Sequence, residues 1–249
     1  MARAAVLGRL SWLIGEVTDA ASETPRVRSL FLDVPGWPGH RAGQHVDVRL
    51  TAEDGYQAQR SYSIASPPED EQVVLTVERL EDGEVSPYLV QEVRVGDRFE
   101  LRGPIGGYFV WEGASVEPLL LVAGGSGVVP LMAMIRHRQA VGSIVPTRLL
   151  YSSRTLEDVI YRQELERLAG VGDGLEVSHT LTRGQPQGWT GYGRRIDAEM
   201  LREVAWEDEP AQAFVCGPTR LVESVAGELV SLGYEPSRVK TERFGPTGT

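Results

Sequence analysis

Cysteine is nearly missing from this chain: its 249 residues include one, Cys216. A lone thiol builds no disulfide framework within the chain, and it cannot supply the four thiolates of an iron–sulfur cluster. A reducing cytoplasm is therefore the expected setting. Histidine is scarce as well. His40, His45, His137 and His179 show no zinc or haem spacing, so no metal is expected. Positive charge is in deficit, with a net charge of −10, which argues against nucleic acid and an anionic membrane surface as partners. The first residues hold too short an apolar core for a signal peptide. No internal repeat or low-complexity tract is present. What remains is the composition of an ordinary soluble globular protein, 41% hydrophobic and 24% charged, with the length of one large domain or two usual ones.

Long uncharged runs are also lacking, with one exception. Residues 118–135 read Pro-Leu-Leu-Leu-Val-Ala-Gly-Gly-Ser-Gly-Val-Val-Pro-Leu-Met-Ala-Met-Ile. Gly124, Gly125, Ser126, Gly127 and Pro130 interrupt it, and a lipid-facing helix broken at that depth would leave backbone groups unsatisfied. The run reads instead as a buried strand over 119–123, a tight turn over 124–127 and a helix over 128–139. Pro130 is tolerated in the first helical turn. Strand, glycine turn and helix together can hold a pyrophosphate, because glycines admit the anion to the backbone and the helix start offers free N–H groups. The spelling is not G-x-G-x-x-G, and a buried turn without a ligand is the plain alternative.

Around this stretch the chain changes period. Before it, short alternating runs recur at 12–18, 27–33, 45–50, 60–65, 73–80, 98–101 and 108–111, punctuated by Gly, Pro and Asp. A short helix is expected at 86–91. Such spacing suggests an antiparallel barrel or sandwich. After it, strands at 147–151, 175–181, 213–215 and 239–242 alternate with helices at 156–168, 197–204 and 218–232, the pattern of a parallel sheet with helices on both faces. The expected division is 1–113 and 114–249, with two ligands meeting at the cleft.

Several short motifs then fall in order. Arg60-Ser61-Tyr62-Ser63 resembles the flavin signature of the ferredoxin–NADP reductase family. Gly83-Glu84-Val85-Ser86 resembles that family's FAD pyrophosphate turn, Gly43-Gln44 its entry to a core strand (with Ala42 where proline is common), and Gly103–Phe109 its barrel-closing turn. Gly124–Pro130 resembles its nicotinamide-dinucleotide loop, with Val128-Val129 as a small apolar departure. Cys216-Gly217-Pro218 resembles its Cys-Gly-Pro, and Glu242-Arg243-Phe244 its C-terminal carboxylate and aromatic, although Gly245–Thr249 run past Phe244 here.

The resemblance implies an antiparallel β-barrel that binds flavin, followed by a five-stranded parallel α/β sheet that binds NAD(P). It assigns FAD to Arg60, Ser61, Tyr62, Ser63, Gly83, Val85, Ser86 and Phe244, with Thr76 and Arg79 as further contacts. It assigns the dinucleotide to Gly124, Gly125, Ser126, Gly127, Cys216, Gly217 and Pro218. Ser63, Cys216 and Glu242 surround the point of hydride transfer. Each residue also has a plain reading: a solvated Arg60 on an amphipathic strand, an inert buried Cys216. For the ribose, Tyr151-Ser152-Ser153-Arg154 lacks the acid expected of an NAD site, and Thr182-Arg183 resembles a 2′-phosphate site, so NADPH is favoured over NADH. Arg154, Arg194 and Arg195 are further candidates.

Electrons would leave to ferredoxin or another redox protein, docked on a basic patch such as Arg136-His137-Arg138. Two alternatives stay open: a flavin reductase using free flavin, and a flavin-bound subunit without turnover.

Overall fold

The computed structural model describes residues 10–206 and 211–244. Its first sheet contains β1 (Trp12–Thr24), β2 (Val27–Asp33), β3 (His45–Thr51), β4 (Gln57–Ser63), β5 (Val73–Glu78) and β6 (Arg98–Ile105), with the short helix α1 (Ser86–Gln91). The antiparallel order is β4-β3-β6-β1-β2-β5. The two edges meet: Ile64 bridges Leu75, and the Ala65 amide donates to the Val74 carbonyl at 2.7 Å. That closure makes the sheet a barrel.

β5 shows why alternation fails as a burial rule here. Its first five residues are all buried. Val73, Leu75 and Val77 face the barrel core, while Val74 belongs to a second core shared with the other half of the chain. A strand between two cores reads as a continuous apolar run.

The second sheet is parallel, ordered β11-β10-β7-β8-β9. Its strands are β7 (Leu119–Gly124), β8 (Thr147–Ser153), β9 (Leu175–Leu181), β10 (Gln212–Pro218) and β11 (Val239–Phe244), and its helices are α2 (Val128–Ala140), α3 (Arg162–Ala169), α4 (Ala198–Val204) and α5 (Thr219–Ser231). β7 is buried throughout, sending Leu120 and Val122 to one face and Leu119, Leu121 and Ala123 to the other. Eight consecutive residues of α2, from Val128 to Ile135, are buried because the helix lies between the sheet and the barrel. Pro130 falls in the first turn, where its missing N–H has no intrahelical partner to lose. No helix among the described residues is long and apolar enough to cross a membrane.

Two expected elements differ. Residues 108–111 form no strand. Tyr108 donates to the Val239 carbonyl at 3.3 Å, Phe109 packs edge-on against Phe214, and the Val110 carbonyl accepts from Lys240 at 3.2 Å, so this segment is spent on joining the two halves. The helix expected at 156–168 breaks in two. Thr155 and Asp158 close a capping box over a single 3₁₀ turn, and α3 starts only after Tyr161, which is left-handed.

Candidate functional site

In the parallel sheet, chain order reverses between β7 and β10, and ligands of such sheets bind at the carboxyl ends beside that reversal. Gly124 ends β7 and Pro218 ends β10. The two loops that follow touch backbone to backbone. A Cβ on Gly127 would stand 2.2 Å from the Cys216 carbonyl oxygen, and one on Gly217 would stand 3.0 Å from the Gly124 carbonyl oxygen. Gly217 has φ +152° and Gly125 φ +55°, values that L side chains rarely adopt. These loops therefore fit together only as glycine. The sequence placed glycines here for an anion; the structure adds that Gly127 is needed first by its own neighbour.

From this crevice a line of contacts crosses into the barrel. Cys216 is fully buried and pairs in register with Glu242 on β11. Burial, and secondarily the Glu242 carboxylate, pushes the Cys216 thiol up, so it stays protonated. Glu242 Oε2 is buried and has no hydrogen-bond partner among the described residues. Burial alone pushes the Glu242 carboxyl up to about 7. Its other oxygen lies 3.7 Å from His45 Nδ1 on β3. That distance is too long for a hydrogen bond. Burial also lowers the His45 imidazole, with Asp47 opposing, so near neutrality the two are not an ion pair of full charges. His45 in turn pairs across the strands with Ser63, whose Oγ is buried and likewise unpartnered. Ser63, His45, Glu242, Cys216 and Gly127 thus form one continuous series across the domain junction. His45 was missed in the sequence, where it was only the residue after Gly43-Gln44.

The remaining barrel residues divide. Arg60 is more than half exposed and pairs with Glu84 at 3.2 Å, while Tyr56 donates to the other Glu84 oxygen at 2.8 Å. Tyr62 packs against the barrel core, and burial pushes its phenol up. Ser61 donates to Asp47 at 2.7 Å. Ser86 Oγ accepts from the Leu80 amide at 3.1 Å, and a Cβ on Gly83 would press to 2.8 Å from that oxygen. Val85 is buried in the barrel core. Arg79 binds Glu81 at 2.9 Å and buries an unpartnered Nε. Thr76 lies elsewhere: its hydroxyl is shared between Ser29 and Tyr161, at the interface of the two sheets. Phe244 packs on the shared core.

At the carboxyl edge of the second sheet, Thr182 donates to the Ser153 carbonyl at 3.2 Å, and the Arg183 amide donates to the Arg154 carbonyl at 2.9 Å. Arg154, Arg183 and Arg195 are exposed, whereas Arg194 is tied to Asp197 and Glu199. The candidate docking run Arg136-His137-Arg138 does not form an exposed basic patch. Arg136 pairs with Glu164 and donates to the Ala65 carbonyl, His137 faces Glu69, and Arg138 is buried against Asp173. The side chains of Arg136, His137 and Arg138 are each spent on contacts within the protein rather than offered to solvent.

A buried polar atom without a partner is costly unless a ligand or water satisfies it. Ser63 Oγ and Glu242 Oε2 at the junction, with the glycine crevice beyond, suit a flavin and a nicotinamide that meet there. Barrel and parallel sheet, joined at such a junction, define a class: flavin-dependent pyridine nucleotide oxidoreductases. The comparisons agree. Residues 16–110 match the oxidoreductase FAD-binding domain family, and residues 121–227 match the oxidoreductase NAD-binding domain family. Ferredoxin–NADP reductase B of Sorangium cellulosum is 37% identical over 82% of this chain and 84% of its own length. NADH-cytochrome b5 reductase 1 of Aspergillus terreus is 31% identical over 83% of this chain and 71% of its own. The glycine betaine monooxygenase reductase subunit of Chromohalobacter salexigens is 32% identical over 83% of this chain but 56% of its own, so this chain spans just over half of that relative. Among solved structures, the flavohem-like FAD/NAD-binding domain of nitric oxide dioxygenase from Vibrio cholerae superposes with TM-score 0.84 at 23% identity, covering 94% of this chain and 99% of its own. A ferredoxin–NADP reductase from Neisseria gonorrhoeae with bound FAD and NADP superposes with TM-score 0.80 at 17% identity, covering 93% and 98%. The chain belongs to the ferredoxin–NADP reductase family and carries both an FAD-binding and an NAD-binding domain.

Proposed function

We propose that this chain oxidises NADPH, in preference to NADH, and delivers the electrons through FAD to a separate redox protein, such as a ferredoxin or an oxygenase component, in the cytoplasm. The observation that carries the reading is the contact series from Ser63 to Gly127, with two buried, unpartnered oxygens at the domain junction. When bound, FAD supplies the two-electron chemistry, accepting hydride from the nicotinamide and releasing electrons singly. The protein's own work is alignment, exclusion of water and proton handling. Ser63 Oγ offers a hydrogen bond to the flavin ring edge. Glu242, with its carboxyl at about 7, can hold or release a proton at Oε2 near physiological pH. Cys216 lines the nicotinamide side as a neutral thiol. Gly124–Gly127 and the start of α2 hold the dinucleotide pyrophosphate. Arg60 and the Gly83–Ser86 turn hold FAD phosphates, Ser61 and Tyr62 frame the flavin strand, and Gly217-Pro218 and Phe244 border the nicotinamide.

The NADPH preference rests on Arg154, Thr182 and Arg183 at the carboxyl ends of β8 and β9. An arginine facing a 2′-phosphate makes charge-assisted, often paired, hydrogen bonds. Comparing kcat/KM for NADPH and NADH, with ferricyanide as acceptor, tests this. NADPH should win, and Arg183→Ala should reduce its advantage by roughly tenfold. Equal use of the two cofactors, or an unchanged ratio in the variant, removes the 2′-phosphate assignment.

A second reading, a flavin reductase with exchangeable flavin, draws on one observation. Glu84 holds the Arg60 guanidinium at 3.2 Å, where it competes with a flavin phosphate. Flavin-free protein after purification, active only with added flavin, would favour it.

A further inference from the structure

Arg136 and Tyr161 belong to the second domain by sequence, yet each also bonds to the first. Arg136 sits on α2, the helix that begins at the glycine loop. Its Nη1 donates to the Ala65 carbonyl at 2.7 Å. Nε and Nη2 donate to the two Glu164 oxygens at 3.0 and 2.6 Å, and the guanidinium lies 4.8 Å from the centre of the Tyr161 ring. Tyr161 is the one non-glycine residue with positive φ among the described residues, at 58°. That conformation costs about 1–2 kcal/mol for an L residue, so the surroundings must hold it. They do: the Tyr161 hydroxyl donates to Thr76 Oγ1, Thr76 shares a 2.8 Å bond with Ser29, and Ser29 binds Glu23 at 2.6 Å.

These bonds reach the residues just past β4 and, through Thr76, the strands β5, β2 and β1. Ala65 lies two residues beyond Ser63, and Thr76 is on β5 beside it, where the Ala65 amide donates to Val74. A single helix therefore joins the glycine loop at its start to the residues directly following the Arg60–Ser63 segment at Arg136. Two domains in one chain move relative to each other by default unless the interface prevents it, and a misplacement of about 1 Å costs on the order of a hundredfold in rate.

We propose that Arg136 and Tyr161 are positioning residues that lock α2 and its glycine loop against the flavin strand, and so set the alignment of nicotinamide with flavin. This rests on the reductase reading and adds to it the device that holds the two ligands in register.

The test uses the holoprotein with Tyr161→Phe, which keeps the ring and removes only the hydroxyl, and Arg136→Met, with Arg136→Lys in reserve should the methionine variant not fold. Amide hydrogen exchange should quicken in both 61–66 and 124–135 in each variant. The long-wavelength absorbance from NADP⁺ stacking on the flavin should fall about threefold or more and kcat about tenfold, with the calorimetric Kd for NADP⁺ within about twofold of the parent. Exchange changes confined to 159–165 would overturn the lock. Coupled exchange with a normal band and kcat would overturn its role in alignment, whatever the Tm does. If the parent protein is reduced by neither nicotinamide, the reductase reading and the alignment role both fall, and exchange alone decides whether loop and strand are locked.

Discussion

The two sides of the candidate site are made of different material. The proposed nicotinamide side, where β7 and β10 part, is backbone against backbone: Gly127 abuts the Cys216 backbone and Gly217 abuts that of Gly124, with no room for a further carbon on either glycine. The proposed flavin side is made of side chains on a strand, Arg60, Tyr62 and Ser63, each held by separate neighbours. The first kind of site is indifferent to residue chemistry but intolerant of volume. The second depends on the chemistry of its side chains, so the two should break in different ways.

The largest effect is expected at Gly127→Ala. Its new carbon would lie 2.2 Å from the Cys216 carbonyl oxygen, against backbone that cannot yield cheaply. Destabilisation of about 3 kcal/mol or more, with loss of NADP⁺ binding, is expected by denaturation and calorimetry. A variant with parental stability would refute the close contact.

Glu242 stands between the two sides, and its effect depends on pH. Burial raises its carboxyl from 4.5 to about 7. Below pH 4.5 folded and unfolded chains both keep the proton, and no penalty exists. Between 4.5 and about 7 the unfolded chain has lost the proton while the folded chain keeps it, so stability falls as pH rises. The shift corresponds to about 3 kcal/mol. Glu242→Gln removes the titration. The stability of the parent relative to this variant should therefore decline by up to about 3 kcal/mol from about pH 4.5 to about pH 8, measured by denaturation of flavin-free protein. A difference that stays flat contradicts the buried carboxyl.

On the flavin side, Arg60→Ala should leave the fold intact, since the exposed pair with Glu84 contributes at most about 1 kcal/mol. FAD affinity should fall by roughly 10- to 100-fold, measured by flavin fluorescence on reconstitution. Unchanged affinity would separate Arg60 from the phosphate. The smallest effect marks the contrast from the other side. Gly227, within α5, has nothing within 4 Å of where its Cβ would stand. Gly227→Ala should stabilise the protein by up to about 1 kcal/mol and leave cofactor binding alone, seen as a raised Tm.

Much of this was legible in the sequence because period and punctuation are local. The limits of β2, α1 and β9 follow from alternation, a proline-started turn and an alternating strand that begins after Gly174. The glycine stretch was legible for the same reason. What was not legible depends on partners remote in sequence. Arg136-His137-Arg138 reads as an exposed basic run, and only the barrel and α3 supply Ala65, Glu69 and Glu164 to absorb it. Tyr161, where the helix breaks, is held by Thr76, which lies 85 residues away. His45 gained meaning only from Glu242 on the other sheet.

An anaerobic absorbance spectrum of the purified protein, taken before and after NADPH, tests the central claim most directly. Flavin bands that bleach on addition of NADPH, and more slowly with NADH, are the expected result. Bound flavin that neither nucleotide bleaches would contradict a junction built for electron transfer between the two.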